Sequence, residues 1–270
     1  MEETAHGTKI FKKELTASAG IGYKFIGNNS GKVGWYGKSD NKISSSGSDM
    51  TIAETGVYEI TANFSNTNYT APDCKSIAAT ITANKYATFS SNQKLDFTGT
   101  GITLYKATSA NSSSVHLEEV SGIVEHNNGL LLYSATAKTY QIPVSTEDAT
   151  ADLGGNKLQS TATEAHDIAA GEVGRAFVFG KLDTEVGFFK AAAGKTIAVN
   201  KCYLLLDSEP TSKDVEFLSL GFDEEEQETN GINAVKLNTY NGIVYNLAGQ
   251  RVSKDYKGIV IVNGKKMLNK

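Results

Sequence analysis

The residues whose types and spacing could do chemistry are Gly34-Trp35-Tyr36-Gly37, followed at once by Lys38, Asp40 and Asn41. Sugar rings carry apolar C–H faces that stack on indole and phenol rings. Covering such a face on an exposed ring contributes on the order of 1–2 kcal/mol by area arguments. Polar neighbours must then fix the hydroxyls. Lys38, Asp40 and Asn41 follow in a loop, and Asn28 and Asn29 precede the strand. Successive residues of a strand point to opposite faces, so only one of Trp35 and Tyr36 faces outward unless a bulge intervenes. Trp35, Tyr36, Lys38, Asp40 and Asn41 are therefore the candidate carbohydrate-binding set. The competing assignment makes Trp35, the sole tryptophan, a core residue that anchors the fold.

Other chemistries find little footing. A nucleophilic hydrolase needs a base beside a Ser or Cys and a third group that orients the base. His6, His116, His126 and His166 are scattered, and no G-x-S-x-G elbow surrounds a serine. Glycosidases need two carboxylates across a cleft. Glu118, Glu119, Asp183 and Glu185 sit at strand spacings typical of solvated faces. Glu147, Asp148, Asp152 and Asn156 offer oxygen ligands without the spacing that curls a loop around calcium. The consecutive carboxylates from Asp223 to Glu226 point to alternate sides of an extended chain. The chain is expected to be non-catalytic, with no cofactor and no metal. A net charge of −4 without a basic face argues against nucleic acid. No apolar run approaches the ~20 residues of a membrane-spanning helix.

The elements that must position these residues are strands. At 270 residues the chain has room for two domains of the usual ~100–150 residues. Apolar runs are short and are separated by Gly, Ser, Thr and Asn. Strands are expected over 9–15, 22–26, 32–36 and 57–64. In VYEITANF, Tyr58, Ile60, Ala62 and Phe64 share one face, the pattern of a half-buried antiparallel strand. From 73 onward strands recur at sandwich or barrel spacing, with a loop between 146 and 170. Segment 208–234 concentrates acidic charge and reads as a linker, although Phe217, Leu218, Leu220 and Phe222 lie within it. The last stretch holds two strands, 243–247 and 259–262. The Asn263-Gly264 turn leads to a third apolar position at Met267 or Leu268. The fold class is all-β: antiparallel β-sandwich domains with a small C-terminal β tail. Its divisions are 1–72, 73–207, 208–234 and 235–270. Cys74 and Cys202 are either two buried thiols or a disulfide.

Three resemblances rest on these residues. YNLAGQRV and KGIVIVNGKK in the last thirty positions resemble the C-terminal tails of Bacteroidota secreted and cell-surface proteins, which act as sorting signals for type IX secretion. That resemblance implies the secretion machinery as a partner and a secreted, outer-membrane or cell-surface location. AETGVYEITANFSNTNYT, with Tyr23-Lys24-Phe25 and Gly34-Trp35-Tyr36-Gly37, resembles part of the starch-binding-type modules of outer-membrane starch-utilisation lipoproteins. The opening strand of that module, with its G…W signature, is missing here, which implies an open sheet edge. YATFSSNQKLDF, YKAT, GLLL, GFFKA and CYLLL, in that order within residues 73–207, resemble a recurrent all-β surface domain of the same lineage that precedes the same tail. A tail of this kind with no export signal after Met1 implies that the sequence is the C-terminal part of a longer one. The function expected is a non-catalytic surface protein that binds a polysaccharide such as a glucan. The alternative is a pair of structural spacers displaying an upstream domain, such as a glycoside hydrolase, that this sequence does not contain.

Overall fold

The computed structural model describes residues 1–29, 32–182, 185–210, 215–222, 233–234, 244–246, 250–252, 258–262 and 265–269. The architecture is all-β, as the short alternating runs predict. The chain forms two compact units, Met1–Asp223 and Glu224–Lys270.

In the first unit a five-stranded antiparallel sheet carries, in order, Glu2–Glu3, Ile10–Ala17, Gly56–Asn63, Asp73–Ile81 and Lys138–Pro143. Gly56–Asn63 has strict alternation, and its buried positions include Tyr58, Ile60 and Ala62. These three join Phe25, Ile43, Met50 and Ile52 in a core that also takes in Phe11, Tyr36 and Phe64. Further along the same sheet, Ile77, Ala79, Ile81, Tyr140 and Ile142 pack on Phe89, Leu104, Leu130 and Leu132 of a second sheet. The expected division at 72/73 therefore separates two cores but not two sheets. Gly56–Asn63 is hydrogen-bonded to Asp73–Ile81 across it.

The second sheet has nine strands, in the order Tyr86–Phe89, Leu130–Tyr133, Thr103–Ala110, Ser114–Val120, Phe217–Phe222, Glu185–Lys190, Ala176–Leu182, Cys202–Leu205 and Leu158–Ser160. It rolls on itself. Leu131 near one end shares a core with Leu158 and Cys202 at the other, around Phe177, Phe188, Leu204 and Leu218. Burying each of these large side chains is worth roughly 1.5–3 kcal/mol. Phe217–Phe222 corrects the linker assignment. It lies in the middle of the sheet, parallel to Ser114–Val120 and antiparallel to Glu185–Lys190, with Leu218 fully buried. The expected loop between 146 and 170 contains two short strands, Leu158–Ser160 and His166–Asp167.

The second unit is a five-stranded sheet in the order Asn233–Ala234, Lys265–Asn269, Gly258–Val262, Val244–Asn246 and Arg251–Val252. Three of its strands cover the expected apolar runs, whereas Arg251–Val252 and Asn233–Ala234, the latter within the stretch assigned to the linker, are not predicted by them. The Asn263-Gly264 turn and the acidic residues 223–226 lie outside the described residues. So do Asp183 and the side chains of Asn28 and Asn29.

Candidate functional site

The hairpin of Phe25–Asn29 and Lys32–Ser39 carries the candidate aromatic pair. Its register sets Ile26 opposite Trp35 and Phe25 opposite Tyr36. Alternation then divides the pairs between the two faces. Trp35 is 58% and Ile26 59% exposed, so an indole and a branched aliphatic side chain stand together in solvent. Phe25 is buried and Tyr36 half-buried, and the Tyr36 ring meets Phe64 edge-on with centroids 5.5 Å apart. Trp35 is thus the outward member of the pair, and the assignment of Trp35 to the core is overturned by its exposure.

Tyr36 has a built seat. A Cβ at Gly27 would lie 2.9 Å from its Cε2, and one at Gly34 would lie 3.1 Å from the same atom. These glycines are cross-strand partners, so the ring lies against bare backbone. Lys38 falls on the Tyr36 side, with Nζ 4.8 Å from the centre of the Tyr69 ring. It also exchanges two 2.9 Å backbone hydrogen bonds with Ser48. Asp40, at φ 53°, and Asn41 form the exposed turn to the next strand, Lys42–Ser44, where the Asn41 carbonyl accepts the Tyr69 N–H. The five candidates therefore do not converge on one surface. Trp35 holds the outer face, Tyr36 and Lys38 the inner, and Asp40 and Asn41 the turn. A strand cannot place neighbours on one side without a bulge, and none intervenes.

Beneath Tyr36 runs a groove of about 830 Å³, lined by Phe11, Phe25, Tyr36 and Phe64 together with Lys9 and Lys24. Phe11 and Phe25 each meet Phe64 edge-on, at 6.2 and 6.3 Å. Sequence reasoning missed this groove because Phe11, Phe25 and Phe64 read as packing residues. The alternation that sends Phe64 inward was its available signal.

A second cavity of about 440 Å³ lies where the two sheets of the first unit meet. Thr55, Thr80, Thr139 and Lys201 stand at its rim and Glu54, Ile77, Phe89 and Leu132 at its base. Glu54 is 2% exposed. Its Oε1 accepts the Asn92 N–H at 2.7 Å, while Oε2 has no partner among the described residues. Burial raises the Glu54 pKa above its ordinary value, against the opposing pull of the Asn92 N–H and the Ser91 hydroxyl.

His166, within the expected loop between 146 and 170, lies in a short strand. Its ring stacks on Tyr203 at 4.9 Å and its Nε2 is 2.9 Å from Glu172 Oε2. Tyr203 and the Ala169 N–H also donate to Glu172, at 2.9 and 2.8 Å. Burial works against the charged carboxylate, but these three contacts outweigh it and hold the Glu172 pKa below its ordinary value. His126 pairs with Glu125 at the surface. Asn156, offered above as a calcium ligand, instead binds backbone: Oδ1 accepts the Ala107 and Leu158 N–H groups, and Nδ2 donates to the Gly129 carbonyl. No three His, Cys, Asp or Glu side chains converge among the described residues. Cys74 and Cys202 are separate free thiols, and burial pushes the Cys202 pKa up to about 12. Comparison with family models, with curated proteins and with solved structures finds no match to the chain.

Proposed function

We propose that the chain is a non-catalytic, secreted or cell-surface protein that binds a polysaccharide such as a glucan by ring stacking on Trp35. The observation that carries this reading is the exposed indole, set in register beside exposed Ile26 on a paired hairpin. Soluble proteins expose single apolar residues often, but an exposed tryptophan beside a second apolar group is a platform on which a sugar face loses little entropy by docking. One such platform gives weak affinity, and repeated sugar units supply avidity. The C-terminal unit, Glu224–Lys270, is proposed to be the segment recognised by the secretion machinery. Its compactness apart from Met1–Asp223 supports an independent role.

Tryptophan fluorescence titrated with soluble starch, xylan and mixed-linkage glucan tests the reading, because Trp35 is the sole source of the signal. A saturable shift with one of them, abolished in Trp35→Ala, is the expected result. Trp35→Ala should change stability by no more than about 0.5 kcal/mol, as for other surface substitutions. A flat titration with all three polymers would leave the chain as a surface spacer.

A further inference from the structure

The groove on the opposite face of the hairpin has a different chemistry from the Trp35 platform. Four aromatic rings form its walls, and the charged side chains in its lining are Lys9 and Lys24. Two carboxylates stand near these lysines without lining the groove. Asp49 pairs with Lys24 at 3.2 Å, and Glu3 accepts the Lys9 backbone N–H at 2.7 Å. Asp49 is itself 64% exposed, so its pair with Lys24 is a solvent-screened surface contact of small worth that an incoming anion can replace. Lys9 is exposed and is held at φ 57° by the turn that precedes Ile10–Ala17.

The volume of about 830 Å³ falls within the ~300–1,000 Å³ of ligand-sized sites. Its lining includes exposed Ile26 and Met1, so the groove opens to water along one side. An acyl chain would leave apolar surface in that water. A sugar ring would not, since it can lay a C–H face on the Tyr36 ring while turning its hydroxyls outward. The two ammonium groups add a requirement for negative charge on the same ligand.

We propose that this groove is a second, separate binding site, for an acidic glycan. Uronic-acid residues stack on Tyr36 and set their carboxylates against Lys9 and Lys24. The inference does not depend on the Trp35 reading, because Trp35 is not among the residues that line the groove, although Ile26 borders both sites. The seat made by Gly27 and Gly34 has a purpose in this arrangement. With no side chain at either position, the Tyr36 ring comes close to the backbone of both strands while lining the groove.

The test is isothermal titration calorimetry on the full chain with trigalacturonate and with maltotriose, in wild type, Lys9→Ala/Lys24→Ala and Trp35→Ala. Trigalacturonate should bind, and should bind more weakly as salt is raised. The double lysine variant should lose about tenfold or more in affinity, because charge-assisted contacts are the strong ones. Trp35→Ala should leave trigalacturonate binding unchanged. Lys9 is exposed and Lys24 half-buried, and an unchanged thermal midpoint will show that the variant keeps the core. Failure of trigalacturonate to bind, equal affinity for maltotriose in Trp35→Ala, or full affinity in the lysine variant would each overturn the proposal. Loss of glucan binding in Trp35→Ala with uronate binding intact separates the two sites.

Discussion

Asn156 accepts the Ala107 N–H through Oδ1 at 3.1 Å, at the place where the pairing of Thr103–Ala110 with Ser114–Val120 slips by one residue. Ala107 also lies beyond the last pair of its strand with Leu130–Tyr133, Tyr105 with Leu131, and the neighbouring Lys157 N–H reaches the Ala107 carbonyl at 2.6 Å. Asn156 Nδ2 meanwhile donates to the Gly129 carbonyl at 2.8 Å. One side chain therefore ties three chain segments together where the nine-stranded sheet rolls on itself. A bulge of this kind leaves a backbone group that must find a partner.

Asn156→Ala should destabilise the first unit by about 2–4 kcal/mol, since it strands two buried backbone N–H groups and a carbonyl in one step. Urea unfolding should show a lower midpoint with an unchanged slope. A loss below about 0.5 kcal/mol, the range of ordinary surface changes, would show that the roll is held by packing alone.

Gly56 tests whether the five-stranded sheet is one structure. A Cβ at this position would lie 2.0 Å from the Ser76 carbonyl oxygen, a backbone atom that cannot swing aside. Gly56→Ala must therefore open the junction of Gly56–Asn63 with Asp73–Ile81, at a cost of about 1–3 kcal/mol. Faster amide exchange should appear in both strands, on either side of residue 72. Exchange confined to residues before 72 would restore the division at 72/73 as a boundary between independent domains.

These two sites show which features the sequence carries openly. The inward face of Gly56–Asn63 is legible because local alternation writes it residue by residue. The same alternation separates Trp35 from Tyr36, although it does not say which faces out; burial of Phe25 and Phe64 decides that. Phe217–Phe222 was hidden in an acidic context, because its partners Ser114–Val120 and Glu185–Lys190 lie far off in sequence and no local period reports a distant pairing. Asn156 reads as an ordinary loop residue until the backbone groups around it have been counted. The groove was hidden for a similar reason, since its rings come from four segments far apart in sequence.

Glu54 gives a pH dependence with a definite sign. Its pKa is raised in the folded state by burial, so the fold prefers the protonated carboxyl. Stability linked to this group is fully present below its ordinary value of 4.5 and is lost as pH rises through the folded value. Glu54→Gln keeps an acceptor for the Asn92 N–H and removes the charge. Relative to wild type, the variant should gain stability as the pH is raised from 4 to 8, because only the wild type acquires a buried charge over that range. Thermal midpoints at the two pH values measure it. An equal difference at both would mean that Glu54 does not titrate between them.

The tail supplies the last prediction. All four buried clusters found among the described residues lie within Met1–Asp223, so that unit has its own core. The tail strands pair with one another, Val244–Asn246 and Lys265–Asn269 flanking Gly258–Val262. Deleting residues 241–270 should thus leave the thermal midpoint of the first unit unchanged, within about the 0.5 kcal/mol of an ordinary surface change. In a Bacteroidota host the same deletion should block delivery of the protein to the cell surface. The two readouts are independent. Normal delivery of the deleted chain would end the sorting role, whereas a lowered midpoint would show that the tail supports the fold and that lost delivery is a folding defect.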